Sequence, residues 1–167
     1  MRTRPAEPFS DGSYHGTVAG ASSGLSKALT EVVLRKGDIV VATLCTLAVL
    51  ARLTTLYPPF QLLLFPLDVT RPDDISAAFS RARDIFGCLD IVFNNAGYAM
   101  VAEVEGTSDA DSRALSEVIF CGAVGMSRAV VKLFREVNIP GKGGIILQNS
   151  SMSGFLGPPG LAFYSAR

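Results

Sequence analysis

Short apolar runs alternate along this chain with longer segments whose apolar residues recur every three or four positions. That alternation of strand and helix signals favours a parallel sheet covered on both faces. Strands are predicted at Tyr14 to Ala19, Ile39 to Thr43, Gln61 to Leu67, Leu89 to Phe93 and Ile145 to Gln148. A helix is predicted from Gly24 to Arg35, with Leu25, Ala28, Leu29, Val32 and Val33 as its apolar stripe. Leu47 to Tyr57 reads as a short apolar helix. Another runs to about Phe86, with Thr70 as its cap and Pro72 in its first turn. Ser108-x-x-Asp111 reads as a capping box. The long helix behind it carries Leu115, Val118, Ile119, Gly122, Met126, Val130, Leu133 and Val137 on one face. Right-handed crossovers turn this order into a doubly wound parallel sheet with strand order 3-2-1-4-5. Its second half is one strand short of the full doubly wound pattern, so the fifth strand is expected to be an unprotected edge.

Composition removes several function classes. With 15 basic and 15 acidic residues, no charge excess points to nucleic acid or to wholesale disorder. Residues 1–12 lack an apolar core and are expected to be a disordered leader rather than a secretory signal. The apolar stretch from Ile39 to Leu67 contains one charge, Arg52. The uncharged run on either side is shorter than the ~18 to 20 residues of a spanning helix, and Pro58-Pro59 would break such a helix. No membrane partner is expected. Cys45, Cys88 and Cys121 are widely spaced, without a Cys-x-x-Cys or His-x-x-x-His pair, so neither a disulfide framework nor a metal site is expected. A cytoplasmic location is the corresponding expectation.

Gly20-x-x-x-Gly24-x-Ser26 falls at a predicted strand-to-helix junction. Glycines there let the backbone turn tightly and approach a pyrophosphate, which the amide end of the helix attracts. The same letters satisfy Gly-x-Ser-x-Gly, the nucleophile elbow of esterases, which needs a histidine downstream of the serine. The single histidine, His15, lies upstream and reads as a solvent or strand-edge residue. The hydrolase reading is thereby excluded. Further along stand Asp68-Val69 at the end of the third strand, Asn94-Asn95-Ala96-Gly97 at the end of the fourth, Ser150-Ser151, and Tyr164 thirteen positions beyond Ser151. Gly154, Gly157, Pro158, Pro159 and Gly160 give a loop able to bring the last two together.

From about Thr17 to Arg167, these motifs and spacings resemble the short-chain dehydrogenase/reductase family, nicotinamide-dependent oxidoreductases with a Rossmann-like fold. The resemblance implies hydride transfer between a nicotinamide and a small carbonyl compound or secondary alcohol. Tyr164 would pass the proton and Ser151 would hold the substrate oxygen. Cofactor contacts are implied for Gly20, Ser22, Ser23, Gly24, Leu25, Asp68, Val69, Asn94, Ala96, Gly97 and Tyr164. Within that set, Asp68 would accept from the adenine amino group, Val69 would pack the ring, and Asn94 would face the ribose and tie its strand to its neighbours. Arg128 matches a basic position near the cofactor in relatives, although by itself it reads as a solvated helix charge.

The choice between NAD and NADP is poorly written. The second strand exits through Thr43-Leu44-Cys45-Thr46, which offers neither the acid that holds a ribose 2′-hydroxyl nor the arginine that accepts a 2′-phosphate. Relatives often carry arginine where Cys45 stands, so the resemblance leans toward NADP.

Four departures from the family pattern support an alternative, a catalytically inactive remnant or nucleotide-binding pseudoenzyme. Ser26 replaces a glycine and is expected to loosen packing. Cys45 is the second departure. Ile119 occupies the place of an asparagine that holds a relay water, and reads as plain core packing. Finally, Tyr164-Ser165-Ala166-Arg167 opens a Tyr-x-x-x-Lys element and the chain ends before the lysine. A phenol in water is almost wholly protonated at neutral pH, and the family uses that lysine to assist it. Arg167, three positions along rather than four, would sit on another helix face. The 167-residue chain is therefore expected to be a truncated domain. Its family dimer interface would be incomplete, its solubility poor, and its carbonyl reduction no greater than the blank.

Overall fold

A computed structural model describes residues 13–166 of the chain. The expectations placed on residues 1–12 and on the helix face of Arg167 lie outside the described residues. Five strands, β1 (His15–Ala19), β2 (Ile39–Leu44), β3 (Leu62–Pro66), β4 (Ile91–Asn94) and β5 (Ile145–Gln148), form one sheet in the order 3-2-1-4-5. Every neighbouring pair is parallel, with Thr17 opposite both Val41 and Val92. β2 is buried along its whole length, as a central strand covered on both faces must be. Its side chains alternate. Val40, Ala42 and Leu44 join the core under the first helices, while Ile39 and Val41 meet Ala82 and Phe86 on the other face.

Helices α1 (Gly24–Arg35) and α2 (Ala51–Leu56, led by a tight 3₁₀ turn over Leu47–Leu50) lie on the side of β1–β3. α3 (Pro72–Phe86) and α5 (Ala123–Glu136) cover the opposite side, where Ile75, Phe79, Met126, Val130 and Leu133 bury against Val92. α5 continues from α4 (Asp109–Ser116) through a π-helical turn, Glu117–Gly122. The whole segment Asp109–Glu136 is long and apolar enough by composition to cross a membrane, yet one face of it is applied to the sheet. The expected stripe is the one used: Leu115, Ile119, Gly122, Met126, Val130 and Leu133 are all buried. Ser108 caps α4 through a bond from the Asp111 amide, and its own hydroxyl donates to the Asp111 carboxylate.

Three local expectations need correction. On α1 the fully buried face is Ser26, Thr30 and Leu34; of the expected stripe Leu29 and Val33 pack partly buried on the core, whereas Leu25, Ala28 and Val32 are exposed. Ser26 and Thr30 can be buried because each hydroxyl donates to a main-chain carbonyl, of Ala19 and Ser26 respectively, at 2.9 Å. Thr70 does not cap α3. Arg71 takes that position, and Thr70 gives its N–H and hydroxyl to Asp68 Oδ1 at 2.9 and 2.8 Å, closing the turn that leads into the helix. His15 is neither solvent-facing nor at a sheet edge. It is 3% exposed, on the central strand.

β5 forms one edge of the sheet, with Ile145 and Leu147 about half exposed. Two short helices follow it, α6 (Ser153–Leu156) and α7 (Ala162–Ser165), joined by turns in which Gly157 and Gly160 have positive φ.

Candidate functional site

The strand ends that follow Gly20, Leu44, Leu67 and Asn95 open onto one cleft of about 460 Å³. Its floor is the β1–α1 turn. Gly20 has φ +72°, and a Cβ there would stand 3.1 Å from Ala96 Cα, so only glycine lets this turn lie against the β4 turn. Ser23, the N-cap of α1, makes no side-chain cap, and the first turn holds no acidic residue. The first amides of the helix and the positive end of its dipole are thus presented to the cleft, as an anion-binding turn requires. Ser22, Ser23, Gly24 and Leu25 complete that wall. Leu44, Cys45, Leu67, Asp68, Val69, Ala96, Gly97, Tyr98 and Val118 supply the rest. A phosphate-approaching turn beside an apolar slot of this volume fits a dinucleotide.

The third position of the glycine motif does not loosen the junction. Ser26 Oγ, fully buried, donates to Ala19 O and accepts from Asn95 Nδ2 at 2.8 Å. Asn95 Oδ1 in turn accepts from Asn149 Nδ2. The hydroxyl therefore links β1, α1 and the β4 and β5 loops.

Asn94 and Asn95 divide the roles expected of one residue. Asn94 is buried and donates to Gln148 Oε1 at 3.0 Å, tying β4 to β5, and it lies off the cleft wall. Asn95 is the residue on the wall, because successive side chains at a strand end point to opposite sides. Asp68 lines the cleft while closing the turn before α3. The Thr70 N–H, then its hydroxyl, and more weakly the charge of Arg71 hold its carboxyl below the usual range against a small opposing effect of burial. Arg128 is not on the cleft wall. It is exposed on a groove between α3 and α5 with Ile75, Ser76 and Lys132. Met126 and Val130, two residues either side, take the buried face of α5, which turns Arg128 outward. Cys45 is exposed where β2 ends, its Sγ 3.5 Å from Leu67 O.

A second cavity of about 360 Å³ adjoins the first and shares Asn95, Ala96, Gly97 and Tyr98 with it. Tyr164 lines this cavity together with Ile119, Gln148, Asn149 and Ser150. Ser151 does not. Its Oγ accepts from the Ser153 N–H and donates to Ser153 Oγ, both at 3.2 Å, in the turn that starts α6. The structure thus brings Tyr164 to the same cavity as Ser150 and leaves Ser151 engaged one residue away. Ile119 does more than fill the core. It forms part of the cavity wall, on the π-helical turn, with its Cγ2 3.5 Å from where a Gly97 Cβ would stand.

Sequence reasoning missed Asn95, Gln148, Asn149 and Ser150 as wall residues. Strand alternation applied to Asn94-Asn95 was the available signal for the first. Asn149 and Ser150 follow β5 in a loop, which carries no periodicity from which to place them.

Comparison with known proteins agrees with this geometry. The short chain dehydrogenase family matches residues 16–167, and the chain belongs to that family. It is 36% identical over 149 residues to oxidoreductase BOA17 of Botryotinia fuckeliana (strain B05.10), covering 89% of this chain and 53% of that protein. It is 38% identical over 149 residues to the uncharacterized oxidoreductase C162.03 of Schizosaccharomyces pombe (strain 972 / ATCC 24843), with 89% and 48% covered. A crystal structure of a short-chain dehydrogenase from Streptomyces avermitilis superposes with TM-score 0.86 at 30% identity, over 95% of this chain and 56% of that one. The chain spans about half the length of the curated relatives it matches. Family membership implies an NAD(P) cofactor.

Proposed function

We propose that this domain belongs to an NAD(P)-dependent oxidoreductase acting on a small carbonyl compound or secondary alcohol. The observation that carries the proposal is the shared wall. Asn95–Tyr98 separates a glycine-floored cleft suited to a dinucleotide from a cavity lined by Tyr164. A bound nicotinamide supplies the hydride donor or acceptor. Gly20 and the open amides of α1 seat the phosphates, Val69, Leu67 and Val118 enclose a flat ring, and Asp68, held ionised, accepts from an amino group. Asn95, fixed by Ser26 and Asn149, keeps the wall rigid between the two cavities. In the second cavity Tyr164 exchanges a proton with the substrate oxygen. Ser150 lines the space for that oxygen; Ser151 must first release Ser153 to join it.

We favour NADP over NAD on the family resemblance, in which relatives often carry arginine where Cys45 stands; the uncharged Leu44-Cys45 exit of β2 itself holds neither an acid nor an arginine. The same proposal takes the protein to act in the cytoplasm on a dissolved small molecule, without nucleic acid or membrane as partner.

A second reading, nucleotide binding without turnover, is favoured by Ile119, which puts hydrocarbon on the Tyr164 cavity wall, and by the engaged Ser151 hydroxyl. Fluorescence titration with NADPH and NADH, followed by a turnover assay on a ketone panel, separates the readings. Binding with turnover supports the first and binding alone the second. Absence of binding by either nucleotide removes both.

A further inference from the structure

We propose that His15, Cys88 and Asp90 form a zinc site at the end of the sheet opposite the cleft. His15 opens β1, and Cys88 and Asp90 flank Leu89 in the link from α3 to β4. Their ligating atoms lie within 4.8 Å of one another. His15 Nδ1 is 3.3 Å from Asp90 Oδ2 and 3.5 Å from Cys88 Sγ. Tetrahedral zinc with bonds of ~2.0 to 2.3 Å needs ligand atoms about 3.3 to 3.6 Å apart. Two edges of such a tetrahedron are therefore already formed, and they meet at the same ring nitrogen.

The triad is held by main chain. His15 N–H donates to Asp90 Oδ2 at 3.0 Å, and Asp90 N–H donates to His15 O at 2.8 Å. The Phe86 ring lies 6.0 Å from the imidazole. His15 and Asp90 are buried and Cys88 half-buried, so the third edge closes by movement of the most accessible ligand. One nitrogen, one thiolate and one carboxylate are a donor set that suits zinc and disfavours calcium or magnesium. The local spacing that usually betrays zinc is lacking because His15 and Cys88 are brought together only by pairing of β1 with β4.

Charges around the triad set the conditions for uptake. Lys142 Nζ holds the other carboxylate oxygen, Asp90 Oδ1, at 2.7 Å and opposes a second cation, but its side chain is 45% exposed and free to swing outward. Tyr14 is a further titratable neighbour, and it acts on Lys142. Metal uptake sends the thiol proton to solvent and moves the Nδ1 proton, which bonds Asp90 in the metal-free protein, to Nε2.

The test uses metal-free protein in which Cys45→Ser and Cys121→Ser remove the two exposed thiols. Zinc chloride is titrated by calorimetry and cobalt(II) by absorption. We expect one equivalent bound, a near-ultraviolet thiolate-to-cobalt band and a raised melting temperature. Cys88→Ser should weaken binding by roughly tenfold or more, and Lys142→Met should tighten it by about fivefold through loss of the competing charge. No saturable binding, no thiolate band, or affinity indifferent to both substitutions overturns the site. Should Cys88→Ser fail to fold, the cobalt spectrum of the parent and the Lys142→Met affinity decide alone.

Discussion

Ser26 Oγ is enclosed between the Ala19 carbonyl and the Asn95 amide, so its removal takes the hydroxyl donor from a buried carbonyl and the acceptor from a half-buried amide. Ser26→Ala should cost about 1 to 3 kcal/mol, the usual penalty for leaving one buried polar group unpaired; urea melting measures it. The same substitution frees Asn95 on the shared wall, and NADPH affinity should fall with it. This residue also shows why α1 misled a periodicity argument. Hydrophobicity counts a buried serine or threonine as solvent-facing, although an internal hydrogen bond removes the cost of burying it. Asp90 poses the corresponding problem for charge. Burial pushes its carboxyl up, but bonds from Lys142, from the His15 N–H and from the His15 side chain outweigh burial and hold it below the usual range. A carboxyl lowered in the folded state stabilises above its ordinary value, and that stability is lost as pH falls through the lowered one. Asp90→Asn should therefore weaken the protein at neutral pH and flatten the fall in stability below about pH 4. Asp68, lowered in the same direction, leaves part of that acid limb in place. Chemical denaturation between acid and neutral pH measures both effects.

At the scale of elements, the π-helical turn Glu117–Gly122 decides how α4 and α5 meet the cofactor cleft. Gly122 stands there against the β3–α3 turn. An added Cβ would come 2.7 Å from Val69 Cγ2 and 3.2 Å from Val69 O. Main chain cannot give way as a flexible side chain does, so Gly122→Ala should cost about 1 to 3 kcal/mol. Because Val69 lines the cleft, NADPH affinity should drop as well, whereas an alanine at exposed Gly141, where no atom lies within 4 Å, should leave affinity unchanged. Paired melting and fluorescence titrations check this. The stripe from Leu115 to Leu133 was readable because its apolar spacing survives a single wide turn. The turn itself was not, since one extra residue changes hydrogen bonding without changing which letters are apolar. Strand order was readable for a different reason: the right-handedness of crossovers leaves few ways to arrange five parallel strands.

For the molecule as a whole, the sequence carried the fold and the phosphate turn further than it carried the chemical end. Gly20 and Gly24 are fixed by backbone conformations that only glycine adopts cheaply, and such constraints leave a mark in the letters. The Tyr164 cavity draws Asn149 and Ser150 from the loop after β5, where neither period nor capping locates a side chain, which is why Ser150 rather than Ser151 came to its wall. Binding at the cleft should nevertheless be felt globally, since its walls come from β1, β2, β3, β4 and the α4–α5 segment together. A ligand that binds only the folded state stabilises it by about 2.7 kcal/mol at one hundred times its dissociation constant. For a domain of this size that corresponds to a melting temperature roughly 5 to 10 °C higher. We expect NADPH to produce such a shift, NADH a smaller one, and zinc an independent increment, because His15 and Gly20 are separated by the length of β1, ~16 Å. Melts with each nucleotide alone, with zinc alone and with both measure the four states. If NADPH gives no shift at saturation, the cleft does not bind it; if the nucleotide and zinc shifts fail to add, the two ends of β1 are coupled.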